Sequence, residues 1–342
     1  VPVWVNHGIN LNYQKIGDYP NMHGDDPNHS CYHSDLLSES GFEYVWTGKA
    51  THIIGQEGKN NLSIFTKSLI QRLLKKTKYK LISIDNHSSS SRKNHIKSSR
   101  VKYVKAHTKN ISSVLNPKQI HSIFHFGEFA RIYQSFLQMD KCIESNSIGT
   151  NAVLNFCLKN KIKLVYSATS ASLGNKGNDK NLSPYAFTKA KNLELLENLK
   201  KWHKLKYEVI YFYNVYGPNQ IGKGNMATVI GIFEDCYKKN KALPVVKPGT
   251  QSRRFTHIDD TVNVCYLAWK KNLCRHYSIS HKQSFTILEV AKMFKKRIRL
   301  LSKRPGERYA SALTTMNLSN KVYKYFGKIK LRHYIKSFIN NN

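Results

Sequence analysis

The stretch Tyr185-Ala186-Phe187-Thr188-Lys189 decides the fold once it is read with its flanks. Before it runs Lys163-Leu164-Val165-Tyr166-Ser167, and after it Tyr207-Glu208-Val209-Ile210-Tyr211-Phe212. Both flanks are apolar runs of strand length, and Tyr185–Leu205 between them has the length of a long helix. The same alternation continues outward. Towards the N-terminus, Ser122-Ile123-Phe124-His125-Phe126 reads as a strand ending at Gly127, followed by a helix over Asn146–Lys159. Further back, Ile64–Lys76 has apolar residues at 64, 65, 69, 70, 73 and 74, the spacing of a helix. Lys80-Leu81-Ile82-Ser83-Ile84 is then a strand ending at Asp85-Asn86, and Val101–Val104 a shorter one. Strands alternating with helices predict an α/β fold with a doubly wound parallel sheet covered on both faces. Beyond Tyr216 the pattern turns irregular, with Gly217-Pro218, Gly222, Gly224 and Pro248-Gly249. Thr286-Ile287-Leu288-Glu289 is a capping box that opens a helix to about Lys295. No internal repeat is visible.

The chemistry concentrates in the opening stretch. Positions i and i+4 share a helix face, so the Lys189 ammonium is expected beside the Tyr185 phenol. A neighbouring cation favours the phenolate, which lowers a tyrosine from its usual value of about 10 towards a usable base. Thr169 ends the preceding strand, sixteen residues before Tyr185. Its hydroxyl is placed to hydrogen-bond a substrate oxygen that gives up a proton. Open parallel sheets put their chemistry at the carboxyl ends of the strands, where all three residues fall.

Composition bounds the partners. The chain of 342 residues carries 55 Lys and Arg against 21 Asp and Glu, a formal charge of +34. Residues 1–57 hold two basic and seven acidic residues, so nearly all the positive charge lies beyond them. A step that sharp suggests two sources of sequence and sets 1–57 apart from 58–342. The lysines are dispersed and no nucleic-acid-binding motif accompanies them, which favours a basic surface attracting small anionic substrates over one binding nucleic acid. Cys31, Cys142, Cys157, Cys236, Cys265 and Cys274 form no CxxC pair and read as free thiols in a reducing, cytoplasmic compartment. No apolar run is long enough to span a membrane and no secretory signal is visible. The chain starts at Val1, as a fragment or processed product would. Asp25-Asp26-Pro27-Asn28-His29 with His33 look superficially like metal ligands, but spacing alone is weak evidence and no metal is assigned.

From about Tyr79 to Lys328 the chain resembles the extended short-chain dehydrogenase/reductase superfamily, in its NAD-dependent epimerase/dehydratase branch and nearest to UDP-glucose 4-epimerases. The resemblance is carried in order by Ser83–Asn86, Phe124–Glu128, Asn146–Thr150, Val165–Gly174, Ser183–Lys189, Tyr213–Pro218, Gln251–Asp260 and Arg304–Glu307. It implies a Rossmann-type sheet with a small C-terminal α/β substrate lobe, roughly 217–252 and 283–342. It implies Thr169, Tyr185 and Lys189 as the catalytic trio, which also contacts cofactor and substrate. Asp85 and Asn86 would meet the adenosine ribose, Phe126 and Gly127 line the cofactor's path, and Asn146 support the nicotinamide side. Asn214 would touch the sugar nucleotide, and Arg253 and Arg304 would clamp its diphosphate. Thr169 is followed by Ser170-Ala171 rather than the Asp-Glu pair of the dehydratases, which leaves epimerisation. Ser311, seven positions past Arg304, would leave room for an N-acetyl group at the sugar's C2. The resemblance also implies a homodimer formed by the two long helices and a role in surface-polysaccharide synthesis. Separately, Glu43–His52 resembles part of a polysaccharide-deacetylase-like protein.

The departures from the family are local. Its opening strand and GxxGxxG turn bring backbone donors to a pyrophosphate at a helix N-terminus. Here Ile53-Ile54-Gly55-Gln56-Glu57-Gly58 supplies two of those glycines, while Asn61 stands at the third. Either Gly55 and Gly58 hold the cofactor, or the true first strand is missing and 1–57 is foreign sequence. The charge step favours the latter. His107-Thr108 replaces the usual acidic residue near the adenine, and Tyr211 a common Arg.

Overall fold

The computed structural model describes residues 3–5, 44–46, 61–87, 95–170, 179–218, 220–305 and 322–342. The chain divides into two compact units, Val1–Gly55 and Gln56–Asn342. In the first, β1 (Val3–Val5) pairs in parallel with β2 (Tyr44–Trp46). Glu43 and most of the deacetylase-like stretch lie outside the described residues, as do Gly55, Gly58 and Ser311.

The second unit carries β3 (Leu81–Asp85), β4 (Val101–Lys105), β5 (Ser122–His125), β6 (Lys163–Thr169), β7 (Tyr207–Phe212), β8 (Val215–Tyr216), β9 (Leu243–Val246), β10 (Ser252–Arg254), β11 (Thr256–His257), β12 (His276–Ser280), β13 (Ser284–Thr286), β14 (Ile298–Leu301) and β15 (Val322–Phe326). Five of them form a wholly parallel sheet in the order β15-β12-β7-β6-β5. β3 and β4 make a separate parallel pair. The expected single sheet is thus in two pieces among the described residues, because no described strand joins β3 to β5.

Side-chain alternation explains why the five-stranded sheet needs two covers. Leu164, Tyr166 and Ala168 of β6, with Tyr207, Val209 and Tyr211 of β7, bury one face against Val153, Leu154, Leu196 and Leu199 of the helices Thr150–Lys159 and Pro184–His203. Val165 and Ile210 point the other way, into Leu69 and Leu73 of the helix Asn61–Lys76 and Val262, Cys265 and Ala268 of Ile258–Lys271. The latter two helices are tied by a hydrogen bond from Arg72 to Asn263. All seven residues of β6 are buried.

The expected helices and strands appear with small shifts that have local causes. The Tyr185 helix begins at Pro184 behind the N-cap Ser183, whose Oγ accepts from the Ala186 amide at 3.1 Å. It ends at His203 rather than Leu205 because Lys204 turns left-handed at φ 58°. The capping box at Thr286 and Glu289 forms in full, though its helix stops at Met293. Asn146 does not open an α-helix. It lies in a π-helical turn, Glu144–Gly149, ahead of the helix at Thr150. The lobe has its own core of Tyr216, Phe233, Val245, Phe255, Phe294 and Leu331. Val322–Phe326 differs from the expected lobe boundary, since it pairs with β12 and extends the main sheet.

At the amino end of the sheet, the Glu208 carboxylate is fully buried. It accepts from Lys163 Nζ at 3.0 Å and from the amides of Cys274 at 2.9 Å and Arg275 at 2.7 Å. Removing one member of a buried pair strands the other charge. Glu208→Ala is expected to lower unfolding free energy by about 3 to 5 kcal/mol in urea titrations.

Candidate active site

Thr169 is the last residue of β6 and Tyr185 the second residue of the next helix, so both sit at the carboxyl end of the sheet. Both are buried. The Tyr185 amide donates to Ser135 Oγ at 3.2 Å, which docks the helix start against Ile132–Leu137. Cys142 and Ala186 pack beside it.

Lys189 is one turn further on and almost wholly buried. Its ammonium does more than the sequence suggested. It is hydrogen-bonded to Glu128 Oε2 and to the Ser167 carbonyl, two residues before Thr169, and lies 4.7 Å from the centre of the Tyr166 ring. Burial lowers the Lys189 pKa, and the Glu128 carboxylate opposes that shift. Glu128 Oε1 collects three further donors: Thr150 Oγ1 at 2.9 Å, the Tyr166 hydroxyl at 3.0 Å and Asn192 Nδ2 at 3.1 Å. Every partner of this carboxylate donates, as an ionised acceptor requires. The Thr150 hydroxyl has one hydrogen and gives it to Glu128. The His125 Nε2 that lies 2.8 Å from Thr150 Oγ1 must therefore carry a proton and donate. Burial pushes His125 down to about 4, so it is a neutral donor at pH 7.

A second cation approaches the tyrosine. Arg131 donates from Nε at 3.0 Å and Nη2 at 2.5 Å to the Met226 carbonyl, and from Nη1 to the Ala130 carbonyl at 2.7 Å. Burial lowers it to about 10, and the negative charge of an ionised Tyr185 works against that lowering. Sequence reading missed both Glu128 and Arg131. Glu128 was the final residue of a quoted motif, and an acidic residue closing an apolar strand was the available signal. Arg131 had none, because its partner is 54 positions away in sequence.

The other predicted residues divide. Asp85 and Asn86 at the end of β3 and Phe126 and Gly127 after β5 line one cavity of about 940 Å³. Asp85 Oδ1 accepts from the His87 amide at 2.8 Å. Asn146 is fully buried and its amide is committed to protein. Oδ1 accepts from the Phe129 amide at 2.6 Å, and Nδ2 donates to the Phe129 carbonyl at 3.0 Å and Thr188 Oγ1 at 3.1 Å. It positions the loop after β5. Asn214, with φ 25°, donates to the Arg254 carbonyl at 2.9 Å and ties β7 to the lobe. Arg304 is drawn over the Tyr133 ring at 5.5 Å, on the same helix that follows Arg131. Arg253 stands on β10 and donates to the Ser252 carbonyl at 2.8 Å. The structure brings Arg304 to the helix that packs beside Tyr185.

A doubly wound parallel sheet with a Thr, Tyr and Lys at its carboxyl end defines a Rossmann-type protein of the short-chain dehydrogenase/reductase class. More narrowly, the chain belongs to the NAD dependent epimerase/dehydratase family, which residues 66–280 match. It is 30% identical over 166 residues to an ADP-L-glycero-D-manno-heptose-6-epimerase of Brachyspira hyodysenteriae, covering 45% of this chain and 51% of that protein. It is 25% identical over 207 residues to a putative UDP-glucose 4-epimerase of Methanocaldococcus jannaschii, covering 57% of this chain and 68% of the other. The chain thus spans about half the length of the first relative and two thirds of the second. The UDP-glucose 4-epimerase of Thermotoga maritima, solved with UDP-glucose, superposes with a TM-score of 0.70 at 21% identity, over 84% of this chain and 96% of that one. At that identity the likeness is one of fold.

The His125 proton gives a pH test. Between pH 6.5 and about 4 the unfolded chain binds a proton at this residue that the folded chain excludes. Stability is therefore full above 6.5 and falls as pH drops towards 4, by about 3 kcal/mol from this group. Urea midpoints measured across that range should show the loss, and His125→Gln should flatten it.

Proposed function

We propose that the chain is an NAD-dependent epimerase of nucleotide sugars, acting at C4 of UDP-glucose or UDP-N-acetylglucosamine. The observation that supports this reading is Tyr185, buried at the carboxyl end of the sheet one turn ahead of Lys189 on the same helix, with Thr169 ending the preceding strand. A second reading, epimerisation at another carbon or on another nucleotide, rests on the heptose-6-epimerase relative.

The cavity residues suit a dinucleotide on its adenosine side. Asp85 offers a carboxylate to ribose hydroxyls and repels a 2′-phosphate. The Thr108 hydroxyl, which lines the same cavity, is buried without a hydrogen-bond partner and is available to a ligand. Phe126 and Gly127 line the same cavity. The pyrophosphate donors of the reading, the amides around Gly55 and Gly58, lie outside the described residues. The chemistry a bound NAD supplies is removal of a hydride from the sugar carbon and its return to the opposite face.

The chain's own part is proton handling and positioning. Tyr185 as phenolate takes the proton of the sugar 4-hydroxyl and later gives it back. Lys189 and Arg131 stabilise the negative charge it carries between those events. Thr169 holds the same oxygen by a hydrogen bond. Arg304 and Arg253 are assigned to the diphosphate and Asn214 to the nucleotide sugar. Ser311 is assigned to the space at C2, which is why the acetylated sugar is included. Ser170-Ala171 offers no acid for dehydration.

The reading also includes a homodimer. Exposed Leu137, Met139, Ile143, Ile148 and Phe187 lie on the helical segments around Asn146 and Tyr185, where an apolar surface wants a cover. Light scattering should give twice the chain mass, and Met139→Glu with Ile148→Glu should give the monomer.

Nucleotide released by denaturing the purified protein should contain NAD. UDP-glucose and UDP-N-acetylglucosamine should both turn over, and Tyr185→Phe should lower kcat by about 10² to 10⁴ with the urea midpoint unchanged. Absence of NAD, with none taken up from excess, would replace catalysis by sugar-nucleotide binding alone. Turnover of the plain sugar without the acetylated one would remove Ser311 from its role.

A further inference from the structure

Among the described residues two Lys–Glu pairs are buried in the main sheet, one at each end of its strands. At the amino end Glu208 takes Lys163 and the amides of Cys274 and Arg275. That pair fixes backbone. At the carboxyl end Glu128 takes Lys189 together with three further side chains, Thr150, Tyr166 and Asn192. All four are donors to it. An amide at 128 would turn its own N–H groups towards them. A carboxylate one methylene shorter would draw back from Lys189. The position is built for the charge and the reach of a glutamate.

An ammonium has three hydrogens and accepts none. Lys189 gives one to Glu128 and one to the Ser167 carbonyl, with Ser167 Oγ at 3.4 Å. Those bonds fix where the ammonium points. The titratable groups facing it from other elements are His125 of β5, Glu128, Tyr166 of β6 and Cys142 of the segment Met139–Ile143. Tyr185 precedes it on its own helix. Burial holds His125 neutral, pushes Cys142 up to about 11 and raises Tyr166 well above its ordinary value. Of the four groups on other elements, Glu128 alone brings a negative charge at pH 7.

We propose that Glu128 is a positioning residue of the reaction, which holds the Lys189 ammonium charged and aimed and acts on Tyr185 only through it. The proposal rests on the reading of Tyr185 and Lys189 given above. With its side chain 1% exposed, Glu128 is closed to a substrate. Burial by itself favours the neutral amine at Lys189, and the Glu128 charge opposes that. An uncharged residue at 128 lets Lys189 lose its proton at lower pH. Tyr185 then loses its cation as pH rises, so the loss of rate is greatest on the alkaline side. Glu208 makes a like pair at the other end of the strands and supplies the comparison for a structural role.

The test compares the full chain with its Glu128→Gln, Glu128→Asp and Glu208→Gln variants. Lys189 ionisation is read without substrate, by NMR of isotope-labelled lysine, with the resonance assigned through Lys189→Arg. Lys189 should titrate at lower pH in Glu128→Gln than in the wild type. Glu128→Asp should fall between the two, and Glu208→Gln should leave the titration unmoved. In epimerisation of UDP-glucose, Glu128→Gln should lower kcat by about tenfold or more at pH 9 and by less at pH 7. KM should change by less than about twofold, and Glu128→Asp should recover part of the rate. A fall in kcat by one factor at every pH would overturn the proposal. So would an unmoved Lys189 titration in the Glu128 variants, or an equal shift in Glu208→Gln. If Glu128→Gln shows no cooperative urea transition, Glu128→Asp against the wild type decides by the same criteria. A wild type without epimerase activity would remove the catalytic reading, and the Lys189 titration would then decide whether Glu128 holds that charge.

Discussion

The site depends on one buried carboxylate. Glu128 sits just after β5 and gathers Lys189 and Asn192 from the Pro184–His203 helix, Tyr166 from β6 and Thr150 from the helix Thr150–Lys159. Four elements are thereby fixed to one point below the tyrosine. The arrangement also settles what each partner does. Lys189 is held by Glu128 and the Ser167 carbonyl, so its charge is shared among protein groups. A buried ammonium without a counter-charge tends to lose its proton, so the same carboxylate keeps Lys189 a cation.

Around that point the backbone is pinned by groups that sequence reading had given to ligands. Asn146 closes the Phe129 backbone on both its donor and its acceptor, and Asn192 donates to the Asn146 carbonyl at 2.7 Å. The π-helical turn brings Gly149 so near Thr108 that an added Cβ would meet its hydroxyl at 2.3 Å. Glycine at 149 is therefore a requirement of packing.

The fold has an asymmetry with physical consequences. Among the described residues β6, β7 and β12 have a strand on each side, while β3 and β5 each pair with one strand and line the cavity. The part that carries Thr169, Tyr185 and Lys189 is densely buried, while Asp85 stands on a two-stranded piece.

The sequence alone determined the periodicities, and these carried the class of fold, the order of strands and helices, and the placing of Thr169 at a strand end with Tyr185 and Lys189 one turn apart on the next helix. Periodicity is local, and i to i+4 spacing on a helix is fixed by backbone geometry. The caps at Ser183 and Thr286 were legible for the same reason. Only the tertiary structure decided which way the Lys189 ammonium turns, that Glu128 and Arg131 attend it and Tyr185, and that Asn146 is a brace. It also put Val322–Phe326 in the main sheet. Each of those outcomes is a contact between residues far apart along the chain. Its energy comes from burial and from the demand that buried polar groups be paired, neither of which is written in the spacing of neighbours.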